Sequence, residues 1–265
     1  MQMKRTGRIQ YIDGEFGSSA CSVQGFTTRH EGVSRTPYNS LNLGSNTQDQ
    51  NHNVEGNRSL LTSAFGISPE MLVTVRQVHG SDILVIEEPN EDYSHFLGVE
   101  SDAIITNQSG VMIGVCVADC VPILLFDPEK RVVAAVHAGW KGTLQKLTFK
   151  TVVGMKSMFG CNPKNMLAAI GPSIGKCCYE VDEPIRQAFN QSDMPWEQFS
   201  ERCGDGKWRL SLSAANKDLL FAAGLPVSSV QMSDYCVCCH RELFFSHRRD
   251  KGETGRQMGF IMLSN

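Results

Sequence analysis

Two histidines and a cysteine stand in segments of similar design. Val75-Arg76-Gln77-Val78-His79-Gly80 closes an apolar run with a His beside a Gly. Val117-Ala118-Asp119-Cys120-Val121-Pro122 sets a Cys between two apolar runs, and Val133-Ala134-Ala135-Val136-His137-Ala138-Gly139-Trp140 ends in a His before a bend of small residues. Strand ends are rigid, and small neighbours leave room for a substrate or an ion. Such residue types serve metal ligation or, where a Cys meets a His, nucleophilic catalysis. Each residue also has a plainer use. A His at a strand end more often makes a structural hydrogen bond, and a Cys between apolar strands more often packs. The intervals, 41 residues and then 17, form no compact metal motif.

Asp119 adjoins Cys120 and is a candidate to orient a His or accept a proton. In a regular strand the two side chains would face opposite ways, so their cooperation requires a bend. Cys236-Val237-Cys238-Cys239-His240 has the look of a compact metal cluster, but no second Cys/His pair follows at zinc-ribbon spacing. It is therefore expected not to hold structural zinc, and Cys177-Cys178 is expected to pack. With ten cysteines and no apolar stretch behind the basic N-terminal residues, a secretory signal is not expected. Reduced thiols and a cytoplasmic location are expected instead.

The elements that must position these residues are mostly strands. Ser22–Thr27, Met71–Gln77, Asp82–Glu87, Ala103–Thr106, Val111–Val117, Ile123–Phe126, Arg131–His137, Met166–Ile170, Val227–Met232, Glu242–His247 and Gln257–Leu263 read as strands. Helices are expected at Val54–Phe65, from the bend at 138–143 to Phe159, at Glu183–Asn190 and at Ser213–Ala223, the last capped by Ser211 or Ser213. A polar loop is expected over 89–101. Strands and helices do not alternate regularly, so the expected class is α+β, a single domain over 1–265 with mixed β-sheets flanked by helices. The 265 residues are 41% hydrophobic and 20% charged, as in an ordinary soluble globular protein. A net charge of −3 gives no support for a general nucleic-acid binder, and no run of 18 apolar residues offers a membrane span.

Taken together, Gln77-Val78-His79-Gly80, Ala118-Asp119-Cys120-Val121-Pro122 and His137-Ala138-Gly139-Trp140-Lys141-Gly142 resemble the YfiH-like family. Its members carry the labels multicopper polyphenol oxidase and laccase-domain protein. Thr27-Thr28-Arg29-His30-Glu31-Gly32-Val33-Ser34 is similar to that family's N-terminal segment. So are Ile170 to Gly175 with Cys177-Cys178-Tyr179-Glu180-Val181, and Phe245 to Asp250 with Thr254-Gly255-Arg256. The likeness spans nearly the whole chain. Glu31 stands where the family often has Gly, and His247 where it often has Tyr.

The resemblance implies that His79, Cys120 and His137 converge as a metal and catalytic site. Two imidazoles and a thiolate suit Zn2+ with one tetrahedral position open, and Cu2+ can occupy the same ligands. The oxidase label fits poorly, because a multicopper centre needs many His ligands and this chain has seven His and no His-x-His pair. The resemblance implies purine nucleoside chemistry instead: phosphorolysis of adenosine, inosine and methylthioadenosine, and deamination of adenosine. The expected partners are a purine nucleoside and phosphate, with neither nucleic acid nor membrane, in a monomer or homodimer. The strand–bend–helix at His137 to Thr143, with Lys141, is a candidate phosphate cradle. Arg29 is a second phosphate candidate, and the basic cluster Arg248, Arg249 and Arg256 ranks behind it. A thiol hydrolase or amidohydrolase with Cys120 as nucleophile and His79 or His137 as base uses the same residues, as would a non-catalytic metal or nucleoside sensor.

Overall fold

The computed structural model describes residues 1–16, 21–90 and 92–264, so residue 91 of the loop expected over 89–101 lies outside the described residues. In chain order the strands are β1 (Gln2–Thr6), β2 (Ile9–Asp13), β3 (Ser22–Thr27), β4 (Leu72–Val73), β5 (Ile83–Ile86), β6 (Ala103–Thr106), β7 (Met112–Val117) and β8 (Val121–Asp127). They continue with β9 (Val132–Ala138), β10 (Leu167–Ile170), β11 (Glu180–Asp182), β12 (Ser200–Gly204), β13 (Lys207–Leu210), β14 (Val230–Met232) and β15 (Gln257–Leu263). The α-helices are α1 (Asn51–Ala64), α2 (Trp140–Leu144), α3 (Leu147–Phe159), α4 (Glu183–Asn190), α5 (Trp196–Phe199) and α6 (Leu212–Ala222).

Among the described residues, one six-stranded sheet runs β1-β2-β3-β15-β7-β4 and a second runs β14-β10-β8-β9-β6-β5. A three-stranded sheet, β11-β13-β12, completes the set. Both large sheets are mixed: β4 lies parallel to β7, β5 to β6 and β10 to β14, among otherwise antiparallel pairs. This is the expected α+β class with mixed sheets and flanking helices.

Apolar alternation sets the layers. On β8 and β9, Val121, Ile123, Leu125, Ala134 and Val136 pack toward Leu147, Val152 and Met155 of α3 and Leu219 of α6. Leu124, Phe126, Val133 and Ala135 of the same strands pack the other way, toward Ile113, Val115 and Ile261 of the first sheet. The outer face of that sheet, with Met112, Met258 and Phe260, packs against Leu61 of α1. Strands buried on both faces must be apolar throughout, which is why β8 and β9 read as unbroken hydrophobic runs.

The structure redraws several expected elements. The helix expected from 138–143 to Phe159 is two helices, because Lys146 adopts φ 58° between α2 and α3. Ser211, not Ser213, caps α6, accepting from the Ala214 N–H at 3.3 Å. The expected strand at Glu242–His247 is a looped segment. Its Phe244 and Phe245 are fully buried, but Phe245 exchanges hydrogen bonds with the side-chain amide of Gln257 rather than with a neighbouring backbone. The expected strand at Met71–Gln77 shrinks to β4, after which Gln77 bonds the backbone of Cys116 through its own side chain. β1, β2 and the three-stranded sheet were not anticipated.

Registers within the second sheet decide what meets at its end. Ala103 pairs with Val136, and Val121 with Ala138. Asp102, Cys120 and His137 therefore sit at the termini of three adjacent strands.

Candidate active site

Asp102 organises this end of the sheet. Fully buried, its carboxylate accepts hydrogen bonds from the backbone N–H groups of Val78 at 3.2 Å, His79 at 3.1 Å and Gly80 at 2.6 Å. It also meets His137 Nδ1 at 2.7 Å, and the Asp102 carbonyl accepts the His137 backbone N–H at 2.8 Å. One carboxylate thus fixes the loop that carries His79 and the ring of His137. An ionised carboxylate only accepts, so His137 Nδ1 carries the proton and Nε2 faces the site. Burial works against the charge on Asp102, but the bond and charge of His137 and the backbone donors outweigh it and hold the carboxyl below its usual value.

The ligand atoms of His79, Cys120 and His137 all lie within 4.8 Å of one another. The two imidazoles stand edge to face, with centroids 4.8 Å apart. Gly139 makes this proximity possible: a Cβ there would lie 2.9 Å from His79 Nδ1 and 3.2 Å from Cys120 Sγ. His79 and Asp119 both take left-handed backbone angles, φ 58° and 99°. Non-glycine residues rarely hold such angles unless their surroundings impose them.

Electrostatics couple the Cys to the buried His. Burial opposes ionisation of Cys120, yet the charge on His137 and hydrogen bonds from both imidazoles bring its pKa down to about 6. Burial likewise opposes charge on His137, but the Cys120 thiolate and Asp102 push it up to about 9. The pair is therefore thiolate and imidazolium near neutrality, a state suited to nucleophilic attack. The same set fits a transition metal. Zinc bonds of roughly 2.0–2.3 Å to two N and one S need donors a little closer than these already are, and exposed His79 leaves one side open.

His79 and Cys120 lie between two recesses, and His137 faces the larger of them. The larger, about 590 Å³, is also lined by Arg58, Arg76, Tyr179, His247, Arg248 and Arg256. That volume is within the roughly 300–1,000 Å³ of small-molecule sites. The smaller, about 250 Å³, is closed by Trp140, Lys141, Ile174 and Leu212. Tyr179, Asp119, Cys120 and His79 border both. Arg58 spends Nε on the Leu43 carbonyl and Arg256 spends Nη1 on the carbonyls of Thr254 and Gly255. Each guanidinium has further N–H groups to offer a ligand.

The other sequence candidates divide. Asp119 is at the site, but the carboxylate that partners the His137 ring is Asp102. It accepts from Ser246 Oγ and from the Arg248 backbone N–H, both at 2.6 Å. Burial raises its carboxyl above the usual value despite these bonds. Arg248 lines the larger recess, donating Nη1 to the Glu180 carbonyl and lying over the Tyr179 ring at 5.2 Å. Lys141 lines the smaller recess and lies over Trp140. The helix behind Lys141 is only five residues long, which removes the extended helix N-terminus expected at 138–143. Arg29 lines neither recess: it bonds the carbonyls of Asn39 and Arg241 and packs over Phe245. Sequence reasoning missed Asp102 and Arg58, and placed Arg256 only behind Arg29. Asp102 had one available signal, a carboxylate placed directly before the apolar run Ala103-Ile104-Ile105.

A sequence model of the family described as multi-copper polyphenol oxidoreductase laccase matches residues 23–264. The chain is 37% identical over 253 residues to "Purine nucleoside phosphorylase YlmD" of Geobacillus stearothermophilus, covering 91% of this chain and 90% of that one. It is 35% identical over 250 residues to "Adenosine deaminase RL5" of an unknown prokaryotic organism, covering 91% and 94%. A crystal structure of the hypothetical protein YfiH from Bacillus licheniformis superposes with a TM-score of 0.90 at 32% identity, covering 99% of each chain.

Proposed function

We propose, from the premise that this chain belongs to the multi-copper polyphenol oxidoreductase laccase family, that it is a purine nucleoside phosphorylase with accompanying adenosine deaminase activity. The observation that carries this reading is the convergence of His79, Cys120 and His137 beside a recess edged with arginines. Relatives named for both reactions support it. The proposed nucleosides are adenosine, inosine and methylthioadenosine.

Phosphorolysis needs an anion held near C1′ of the sugar and a proton for the departing purine. Arg58 and Arg256 are the proposed phosphate holders, since both line the larger recess and a guanidinium matches phosphate oxygens in pairs. Arg29 and Lys141 are not needed for that role. Asp119, whose raised affinity for a proton follows from its burial, is the proposed proton carrier at the purine. His137, its Nδ1 proton held by Asp102, presents Nε2 to the site in a fixed orientation. His79, Cys120 and His137 would hold Zn2+, or Cu2+ in its place. When bound, zinc supplies a Lewis acid that activates water, as deamination requires. An oxidase reading has less support: only two of the seven His belong to this cluster.

The test is adenosine incubated with the purified protein, with and without phosphate, followed by chromatography. Adenine and ribose-1-phosphate, formed only with phosphate, are expected, together with inosine in both. Absence of all three products would overturn the proposal. A second reading, a thiol hydrolase with Cys120 as nucleophile, is favoured by the thiolate–imidazolium pair. Chelation separates the two: a thiol enzyme keeps its activity without metal, whereas inosine formation at a metal site is lost.

A further inference from the structure

A second sulfur cluster lies outside the site just described. The Sγ atoms of Cys177, Cys178, Cys236 and Cys239 all lie within 4.8 Å of one another. Cys239 Sγ is 3.6 Å from Cys177 Sγ and 3.3 Å from Cys178 Sγ. These separations are too long for disulfides, which need about 2.05 Å. They are close to the roughly 3.8 Å between sulfurs that share a tetrahedral zinc at 2.3 Å.

Two independent features show a place shaped around the sulfurs. The Gly175 N–H donates to Cys236 Sγ at 3.2 Å, which favours a thiolate there. A Cβ on Gly175 would lie 3.1 Å from Cys236 Cβ and 3.2 Å from Cys177 Sγ, so a larger residue would crowd the cluster. Backbone pairing brings the two cysteine segments together: Ser173 bridges to Cys236, and the Val237 N–H donates to the Ser173 carbonyl. His240, the apparent ligand in the sequence, is instead turned to the Cys236 carbonyl through Nδ1. Cys238 is outside the group.

We propose that Cys177, Cys178, Cys236 and Cys239 form a tetrathiolate site for one zinc ion, which pins the loop after β10 to the loop after β14. Four sulfurs close the tetrahedron and leave no position for substrate, so the site is structural rather than catalytic. Zinc binding displaces the protons that the thiols carry and changes no oxidation state. The pinned loops continue directly into the recess wall: Tyr179 follows Cys178, and Arg249, next to Arg248, donates to the Val237 carbonyl at 2.8 Å. The ion would thus brace the part of the recess wall that carries Tyr179 and Arg248.

The test uses Cys120→Ala protein, so that metal at the catalytic cluster does not enter the count. Elemental analysis of this variant is expected to give one zinc per chain. Adding Cys239→Ser should remove it, and adding Cys238→Ser should leave it. Should the Cys239 variant fail to fold, mercurial titration of the Cys120→Ala protein, with released zinc read by a chelating dye, decides the question: one zinc released as four thiols react supports the site. A metal-free Cys120→Ala protein would overturn it. So would a Cys177 or Cys178 disulfide to Cys236 or Cys239 in the peptide mass map, or iron in place of zinc.

Discussion

The two sulfur-bearing clusters are built in opposite ways. Cys120 and His137 are carried at strand ends of a sheet buried on both faces and His79 on the loop between β4 and β5, and a fully buried carboxylate fixes that loop and the His137 ring. Cys177, Cys178, Cys236 and Cys239 sit on loops, Cys236 buried and the other three partly or fully exposed, joined mainly by each other and by one backbone bridge. The first is held by the fold and has an open side. The second closes on itself and holds two loops. Preorganisation belongs to chemistry, and mutual tethering belongs to stability.

Removing a donor from the first cluster is the largest expected disruption. His79→Ala and His137→Ala should each lower adenine release by about 10²–10⁴-fold, the usual range for a positioned acid–base group, and to a similar extent because the residues act as a unit. Steady-state assays of folded variants check this; a near-normal rate in either would break the assignment. Asp102→Asn keeps the shape but removes the charge that fixes the His137 ring. A loss of about 10–100-fold in metal affinity or activity is expected, measured by competition with a chelator. Phosphate handling should separate from metal binding. Arg58→Ala and Arg256→Ala should each raise the phosphate KM by about 10–100-fold, from the roughly 1.5–3 kcal/mol of a charged hydrogen bond. Inosine formation should suffer less, whereas Arg29→Ala should lower thermal stability and leave the phosphate KM in place. Equal loss of both products in the Arg58 and Arg256 variants would move phosphate elsewhere.

The smallest expected effect is on pH. Cys120 is depressed to about 6 and His137 raised to about 9, so their ion pair exists between these values in chelated protein. As pH falls through about 6 the thiolate takes up a proton and its contribution to stability is lost. As pH rises through about 9, His137 releases its proton and the contribution is lost at that end. Alkylation of Cys120 should therefore remain fast at pH 7 and slow below about 6. Cys161, which burial raises to about 12, should stay unreactive throughout. An alkylation midpoint for Cys120 near that of a free thiol would contradict the pairing.

Legibility in the sequence followed the same division. β6, β15 and α4 were read with their observed bounds, because buried strands and a helix with Pro184 in its first turn leave local signals. The His79, Cys120 and His137 cluster was legible through its family likeness, since its three residues stand in the motifs that carry that likeness. Asp102 was not, because its importance lies in donors 22 to 24 positions away that only the folded loop supplies. Asp119 was the carboxylate that sequence adjacency favoured, and the sheet registers chose the other. The four-cysteine cluster was dismissed for lack of a nearby second pair. That pair exists some 60 residues upstream, brought in by the Ser173–Cys236 bridge. Glu242–His247 misled for the opposite reason: its buried aromatics look like a strand, but a glutamine side chain satisfies the backbone.

The central claim is that chemistry belongs to the strand-end cluster and stability to the loop cluster. One side-by-side measurement tests it most directly: phosphate-dependent adenine release and thermal unfolding of wild type, Cys120→Ala and Cys239→Ser. The account predicts that Cys120→Ala loses adenine release while unfolding near the wild-type temperature. Cys239→Ser should keep most of its turnover at low temperature and unfold well below wild type. Full turnover in Cys120→Ala, or loss of turnover in Cys239→Ser with an unchanged unfolding temperature, would contradict it.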